Sequence, residues 1–313
     1  MSDLEFFLID FVQVLATGLL VGGTYALMCV GLGMIFGVMR VINFAQGDFL
    51  MLGMYAAFYL MTGWGVLAFL GPYVGPVVAG IFAGPVVFVI GWLLHRYLVR
   101  RVTGMAALGA EAEGHYAQII LTLGIALVLQ NGGLILFGSI PLAVRTPMSG
   151  QSWEVWEVLL NQARTVNFFV AIAVAGVLYL FLSRTRLGKS MRAAADNPEA
   201  ALYMGIDVEK CHRIAFALGC GITAIAGGLI ASSQSFQPYI GFQFVIVMYA
   251  GVVLGGLGSI LGAFWGGMTI GMVQQLSTLF LPFQLQNTAV FVVFLLIIFL
   301  RPQGLFGRVT DRT

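Results

Sequence analysis

The residues of this sequence that could support chemistry are few, and they do not form a catalytic set. Gly188-Lys189-Ser190 matches the end of a phosphate-binding loop, but the full motif needs a glycine five positions before Gly188, where the sequence has Ser183. The side chains that could bind a metal or form a disulfide are Cys29, Cys211, Cys220, His95, His115 and His212. Because they show neither CxxC nor Cys/His ligand spacing, we expect no metal site, no disulfide, no catalytic residue and no cofactor in this chain.

The composition predicts a chain whose main solvent is lipid. Of the 313 residues, 60% are hydrophobic and 9% are charged, and the mean hydropathy is +0.97. Soluble domains are about one quarter charged, so these charges are too few to cover a globule of this size. A net charge of +2 gives no reason to expect a nucleic acid partner.

The apolar runs predict an all-α, polytopic membrane protein that forms a single transmembrane domain over residues 1–313. A spanning helix needs about 20 mostly apolar residues. The sequence offers about nine such runs (eight to ten), namely 11–39, 43–62, 73–95, 117–138, 167–183, 214–236, 243–262, 264–281 and 287–300. The run 43–62 begins with a polar cluster, and 264–281 follows its predecessor almost without a loop, so either could be broken or re-entrant.

The positions of Lys and Arg predict that the N-terminus lies outside and the C-terminus inside. Lys and Arg favour the cytoplasmic ends of spans. Thirteen of the fifteen basic residues then lie inside, namely Arg40, Arg96, Arg100, Arg101, Arg184, Arg186, Lys189, Arg192, Lys210, Arg213, Arg301, Arg308 and Arg312. Arg145 and Arg164 are left outside.

The outside loop 139–166 contains an aromatic pattern. Trp153, Trp156 and Leu160 can share one helical face with Glu154 and Glu157 away from it. This pattern predicts a short amphipathic helix at the periplasmic interface, which either anchors the chain or docks an external partner.

Glycines at four-residue spacing predict helices that pack closely in lipid, as at Gly18/Gly22 and Gly267/Gly271. The run 255–262 contains four glycines in eight residues, which predicts a bend or break between two spans.

The largest inside segment, 184–213, carries the signals of a short helix over roughly 198–204. Asn197 is a favourable N-cap residue, and Pro198 is favourable at the first helical position. Gly205 readily adopts the left-handed conformation in which many helices end. A rigid helix in a cytoplasmic loop could couple motion from a soluble partner into the spans. It could also be only a well-capped connection.

Three stretches resemble the LivH-type permeases of ABC importers for branched-chain amino acids. They are Glu199-Ala-Ala-Leu-Tyr-Met-Gly205 with its flanking run from Thr185 to Asp207, Phe36–Asp48, and Gly255–Ala263. The first has the Glu-Ala-Ala-x-x-x-Gly form of the loop that contacts ATPase subunits. The resemblance covers nearly the whole chain and implies an ATPase-coupling loop within 184–213 whose residues are Arg192, Asp196, Asn197, Pro198, Glu199, Ala200, Ala201 and Gly205.

The resemblance also implies partners and a location. A LivH-type permease works with a second related permease, two ATPase subunits that hold ATP and Mg²⁺, and a periplasmic substrate-binding protein. It is a multi-pass protein of the bacterial inner membrane. The substrate would then be a branched-chain or other neutral amino acid, although close relatives within the family carry urea and short amides.

Polar residues inside the spans are candidates for a translocation path or gate. Asn43 and Gln46 could instead form a capping box, and Asp48 could simply pair with Arg40. Gln130, Asn131, Tyr249, Gln274 and Gln275 could either line the path or form hydrogen bonds between helices.

Two other classes of transport protein remain open. A secondary transporter would need a charged midplane site or internal symmetry, and neither is evident. A passive channel would suit the glycine-rich packing but gives the capped inside loop no role.

Overall fold

The computed structural model describes residues 3–102, 111–301 and 304–305, and this part of the chain is almost entirely helical. Its long helices are α1 (Asp3–Met39), α2 (Gln46–Phe58), α3 (Gly71–Tyr97), α4 (Glu111–Phe137), α6 (Gln162–Arg184), α9 (Val208–Ile230), α10 (Ile240–Gly255), α11 (Ile260–Leu276) and α12 (Gln286–Leu300). Shorter elements are α5 (Pro147–Gly150), β1 (Ser152–Val155), β2 (Val158–Asn161), α7 (Arg186–Asp196) and α8 (Pro198–Tyr203).

Five of the described helices are long and apolar enough to cross a membrane. They lie within Phe7–Met39, Ala68–Arg101, Tyr116–Phe137, Gln162–Arg184 and Val208–Ile230. A helix also lies in each of the other four runs that the sequence predicts to span, but these helices are shorter. The chain is therefore an all-α polytopic membrane protein.

The helices α1 and α9 form the centre of the bundle. Most of the residues in their spanning windows are buried, whereas α3, α4 and α6 leave most of theirs at least partly exposed. An apolar helix with an exposed face is stable only where lipid covers that face. The basic residues collect where α3 and α6 end and α9 begins, and we call this the basic end. The opposite end carries the β-strands, and we call it the hairpin end.

The second predicted span is short and preceded by irregular chain. After α1 ends at Met39, residues 40–45 are not helical, and α2 begins only at Gln46. A π-helical turn, Tyr59–Gly63, then closes α2. Gln46 bonds to Gly219 and Thr223 in the middle of α9, so α2 begins inside the bundle and not at its surface. Non-helical backbone at this depth is tolerated because protein surrounds it.

The glycines pack helices together as their spacing predicts. Gly22 of α1 faces Gly271 of α11, and Gly251 of α10 faces Gly267 of α11. The predicted break between α10 and α11 is also present, because α10 ends at Gly255 and α11 begins at Ile260. The connecting residues Gly256 and Gly258 have φ of 102° and 92°, a conformation that glycine adopts readily.

The predicted amphipathic helix around Trp153 is wrong, because this segment is a β-hairpin. Trp153 pairs with Leu160 and Ser152 with Asn161, and the turn residues Trp156 and Glu157 have φ of 54° and 67°. Two positive φ values fit the two-residue turn that the twist of a hairpin favours. The Gln13 side chain of α1 donates to the Leu159 carbonyl (2.8 Å) and accepts from its amide (2.7 Å), which fixes β2 to the bundle.

Candidate functional site

The first candidate site is the segment formed by α7 and α8 at the basic end. Thr185 caps α7 by accepting a hydrogen bond from the Gly188 amide at 3.0 Å. Gly188 lies against the backbone of Leu182, so α7 turns sharply away from α6. Met191 and Ala194 are buried, and they hold the amphipathic α7 against the bundle.

The short helix α8 is present where the sequence predicts it, as Pro198–Tyr203. Asn197 accepts a hydrogen bond from the Ala200 amide at 3.0 Å. At the other end Gly205 has φ 78°, and the Ile206 amide donates to the Ala201 carbonyl at 2.9 Å, the long bond of a Schellman motif. Asp207 then caps α9 through the Lys210 amide at 2.9 Å. Both ends of α8 are therefore fixed.

Most predicted coupling residues lie on the surface of this segment. Ala201 is buried against the bundle and acts as the anchor of α8. The exposed residues are Arg192, Asp196, Asn197, Pro198, Glu199, Ala200 and Gly205. The segment is thus a rigid, exposed projection and not a mobile loop.

The sequence analysis missed an apolar tip on α8. Tyr203 is 89% exposed and Met204 is 81% exposed, and Leu202 beside them is also exposed. The sequence contained the signal, because Leu202, Tyr203 and Met204 are three consecutive large apolar residues in the inside segment 184–213. Adjacent exposed apolar residues of this kind are typical of a protein contact.

The second candidate site is a buried network of polar side chains in the middle of the bundle. Gln46 donates hydrogen bonds to the Thr223 hydroxyl at 2.6 Å and to the Gly219 carbonyl at 3.2 Å, both in α9. Asn43 donates to the Gln46 side chain at 2.8 Å. Since the Gln46 side chain bonds to α9 and to Asn43, the alternative of a capping box is wrong.

Asp48, two residues after Gln46, connects α2 to α4. Its carboxylate accepts a hydrogen bond from Gln130 at 2.9 Å. It forms no ion pair with Arg40, so the alternative of a simple Asp48–Arg40 pair is wrong. Asp48 is 2% exposed, while Asn43 and Gln46 are fully buried. Tyr249 lies beside the network, with its ring 5.4 Å from that of Phe44. The structure therefore brings together Asn43, Gln46, Asp48, Gln130 and Tyr249.

Two predicted path residues lie elsewhere. Asn131 is exposed and donates to the Leu127 carbonyl of its own helix at 2.8 Å. Gln274 lines a separate cavity at the hairpin end. This cavity measures about 180 Å³ and lies among α1, α6, α10, α11 and the start of α12. Its lining includes Gln275, which the sequence analysis also gave as a path candidate, and Arg164, Asn167 and Gln286, which it did not.

The described residues show no metal cluster. No three His, Cys, Asp or Glu side chains among them meet as metal ligands. Cys29, Cys211 and Cys220 are each buried as free thiols.

We expect Gln46→Leu to destabilise the assembled protein and Asp48→Asn to leave its stability near wild type. The leucine side chain leaves the Asn43 amide and the Thr223 hydroxyl without their partner, and each unpaired buried group costs about 1–3 kcal/mol. An asparagine at position 48 can still accept from Gln130. The measurement is the thermal midpoint of the purified protein. Uptake near the wild-type rate in both variants would exclude a gate at this network.

Comparison of the sequence with known proteins identifies its family. The family model described as branched-chain amino acid transport system, permease component, matches residues 14–300. The chain is 30% identical to the high-affinity branched-chain amino acid transport system permease protein LivH of Escherichia coli (strain K12) over 307 residues, or 95% of this chain and 96% of that protein.

Two further relatives extend the similarity. The permease protein BraD of Pseudomonas aeruginosa is 30% identical over 306 residues, which are 95% of this chain and 96% of that protein. A probable LivH of Methanocaldococcus jannaschii is 30% identical over 275 residues, which are 86% of this chain and 82% of that protein. No solved structure was found to match the chain.

Proposed function

We infer the role of this chain from its family, since it belongs to the branched-chain amino acid transport system permease component family. It is the membrane-embedded permease subunit of an importer. Its long apolar helices make it a multi-pass membrane protein, and we assign it to the bacterial inner membrane.

We propose that the importer is driven by ATP hydrolysis in partner subunits. The assembly would contain this chain, a second related permease, two ATPase subunits and a periplasmic substrate-binding protein. ATP and Mg²⁺ would bind on the ATPase subunits. The relatives LivH and BraD are named as permeases of high-affinity branched-chain amino acid transport systems, so we propose a branched-chain or similar neutral amino acid as the substrate.

The exposed tip of α8 is the observation that carries this proposal. A helix with both ends capped and an apolar tip at Tyr203 and Met204 is suited to insert into a cleft of a soluble subunit. Ala201 of α8 is buried in the bundle, so a rigid-body movement of α8 would also move α7 and α9. Coupling through the segment 184–213 accounts for a rigid projection that a channel would not need.

We also propose that the hairpin end faces the periplasm, with the N-terminus outside, the C-terminus inside and about nine crossings. The basic end carries Arg96, Arg100, Arg184, Lys210 and Arg213, as expected for a cytoplasmic face. Arg308 and Arg312 support the same orientation from the sequence but lie outside the described residues. The four shorter helices would complete the crossings beside the five long ones.

Glu199→Arg tests the proposed contact. We expect the variant to co-purify roughly tenfold less ATPase, because a reversed charge at the exposed first turn of α8 weakens both the capped helix and the interface. The measurement is the ratio of ATPase subunit to permease in the purified complex. Glu154→Arg is the matched control, since Glu154 is exposed on the hairpin at the opposite end. Equal ATPase recovery in both variants would contradict a contact at α8.

A further inference from the structure

The cavity at the hairpin end is large enough to receive a small solute. It occupies about 180 Å³, which exceeds the roughly 150 Å³ of an engineered cavity that accepts benzene. One part of its wall is apolar, formed by Leu20, Val21, Ile230 and Phe244, and the rest is polar. A solute with one apolar part and one polar part would fit both sides.

Arg164 is the charged group in this wall, and its position is unfavourable without an anion. It is the third residue of α6, where the helix dipole disfavours a cation. It is also one of the two basic residues that the sequence places outside, and no ion pair to it is found among the described residues. No Asp or Glu lines the cavity. A buried or half-buried arginine of this kind typically serves a function in a membrane protein.

Amide and hydroxyl side chains share the cavity lining with Arg164. Tyr25 of α1 and Gln274 of α11 both line it. Asn167 uses its amide hydrogens on the Leu229 carbonyl (2.8 Å) and the Ser232 hydroxyl (3.2 Å), which leaves its oxygen as an acceptor.

Gln286 adds a polar group that has no partner of its own. It is 6% exposed and lines the cavity, and its side chain forms no hydrogen bond to the rest of the described chain. Its amide is therefore open to the cavity, where a ligand or water can hydrogen-bond to it.

We propose that this cavity receives a zwitterionic amino acid, with Arg164 binding the carboxylate and the amide oxygens of Asn167, Gln275 and Gln286 accepting from the ammonium. Guanidinium and carboxylate groups match in geometry and charge. The apolar wall then takes the side chain of the solute. This assignment rests on the proposed function and adds a substrate site to it.

Charge-selective labelling tests the site without requiring transport. In the assembled complex, Gln286→Cys is treated with an anionic and a cationic methanethiosulfonate reagent, and the native cysteines are buried as free thiols. We expect the ratio of anionic to cationic labelling rates to fall roughly fivefold on adding Arg164→Gln and to recover with Arg164→Lys.

Leucine should slow the labelling, whereas leucinamide should not. Arg145→Gln is the control, since Arg145 is exposed and outside the cavity lining. A ratio that Arg164→Gln leaves unchanged would overturn the proposal.

Leucine uptake separates this proposal from the proposed function. In a complex that transports leucine, we expect Arg164→Gln to lower uptake about tenfold, and Arg145→Gln to change it less than about twofold. The amount of co-purified ATPase should not change in either variant. Normal uptake by Arg164→Gln would overturn the carboxylate site and leave the importer intact. If wild type does not carry leucine, the substrate proposal fails, and the labelling ratio still decides whether the cavity prefers anions.

Discussion

Gly205→Pro is expected to reduce ATP-dependent uptake at least about tenfold, because proline cannot adopt the backbone that ends α8. Gly205 has φ 78°, whereas proline is restricted to about −65°. The substitution also removes the amide that donates to the Leu202 carbonyl at 2.9 Å. Without the turn at Gly205, α8 no longer ends in the same place. Tyr203 and Met204 are then no longer held in position at its exposed end. The measurement is uptake of labelled leucine by reconstituted complexes.

Gly205→Asn is the matched control for the shape of α8. Asparagine adopts the left-handed conformation more readily than other residues with a side chain. A Cβ at Gly205 would meet no atom within 4 Å, so space does not limit the substitution. We expect Gly205→Asn to retain most of the uptake. Equal uptake in both variants would show that the end of α8 does not matter for transport.

Gly266→Leu is expected to prevent assembly of the bundle. A Cβ at Gly266 would overlap the Gly251 carbonyl oxygen and approach the Gly255 amide nitrogen to 2.8 Å, and both are backbone atoms of α10. Overpacking usually costs about 1–3 kcal/mol, and the cost rises when backbone and not a flexible side chain must move. The two helices would have to separate. We expect a large loss of folded protein in size-exclusion chromatography.

Gly124→Leu provides the comparison for Gly266→Leu. Gly124 is an exposed residue of α4, and a Cβ there would meet nothing within 4 Å. A leucine on this face would contact lipid and should not change the yield of folded protein. Comparable yields for the two variants would contradict close packing of α10 on α11.

Features that depend on neighbouring residues in the sequence were predicted well. Asn197, Pro198 and Gly205 mark both ends of α8, because capping is decided by a few adjacent residues. The break between α10 and α11 likewise follows from its glycines. The apolar runs locate nine helices of the described chain, although their lengths alone do not show that all of them cross the membrane.

Features that depend on distant partners could not be predicted. The spacing of Trp153, Trp156 and Leu160 fits a helix, but the hairpin is favoured because Gln13, 146 residues away, bonds to Leu159. In the same way Gln46 bonds to α9 and Asp48 to α4. A local pattern cannot reveal such contacts, because the fold creates them.

The cavity around Arg164 shows the same limit. Its lining comes from α1, α6, α9, α10, α11 and α12, which are spread along the sequence. The sequence contained one indication of the cavity, because Arg164 is predicted to lie outside whereas most of the other basic residues are predicted to lie inside. Gln274 was identified as a polar residue in a span, but only the packed structure shows that it shares a cavity with Tyr25 and Arg164.

The most direct test of the importer assignment is uptake of labelled leucine into proteoliposomes that contain the purified complex. If this chain is a permease subunit of an ATP-driven importer, uptake requires ATP, the ATPase subunits and the binding protein together. Omission of any one of them should then reduce uptake to the level of empty liposomes. Uptake by this chain alone without ATP would contradict the assignment and identify a channel or a secondary transporter.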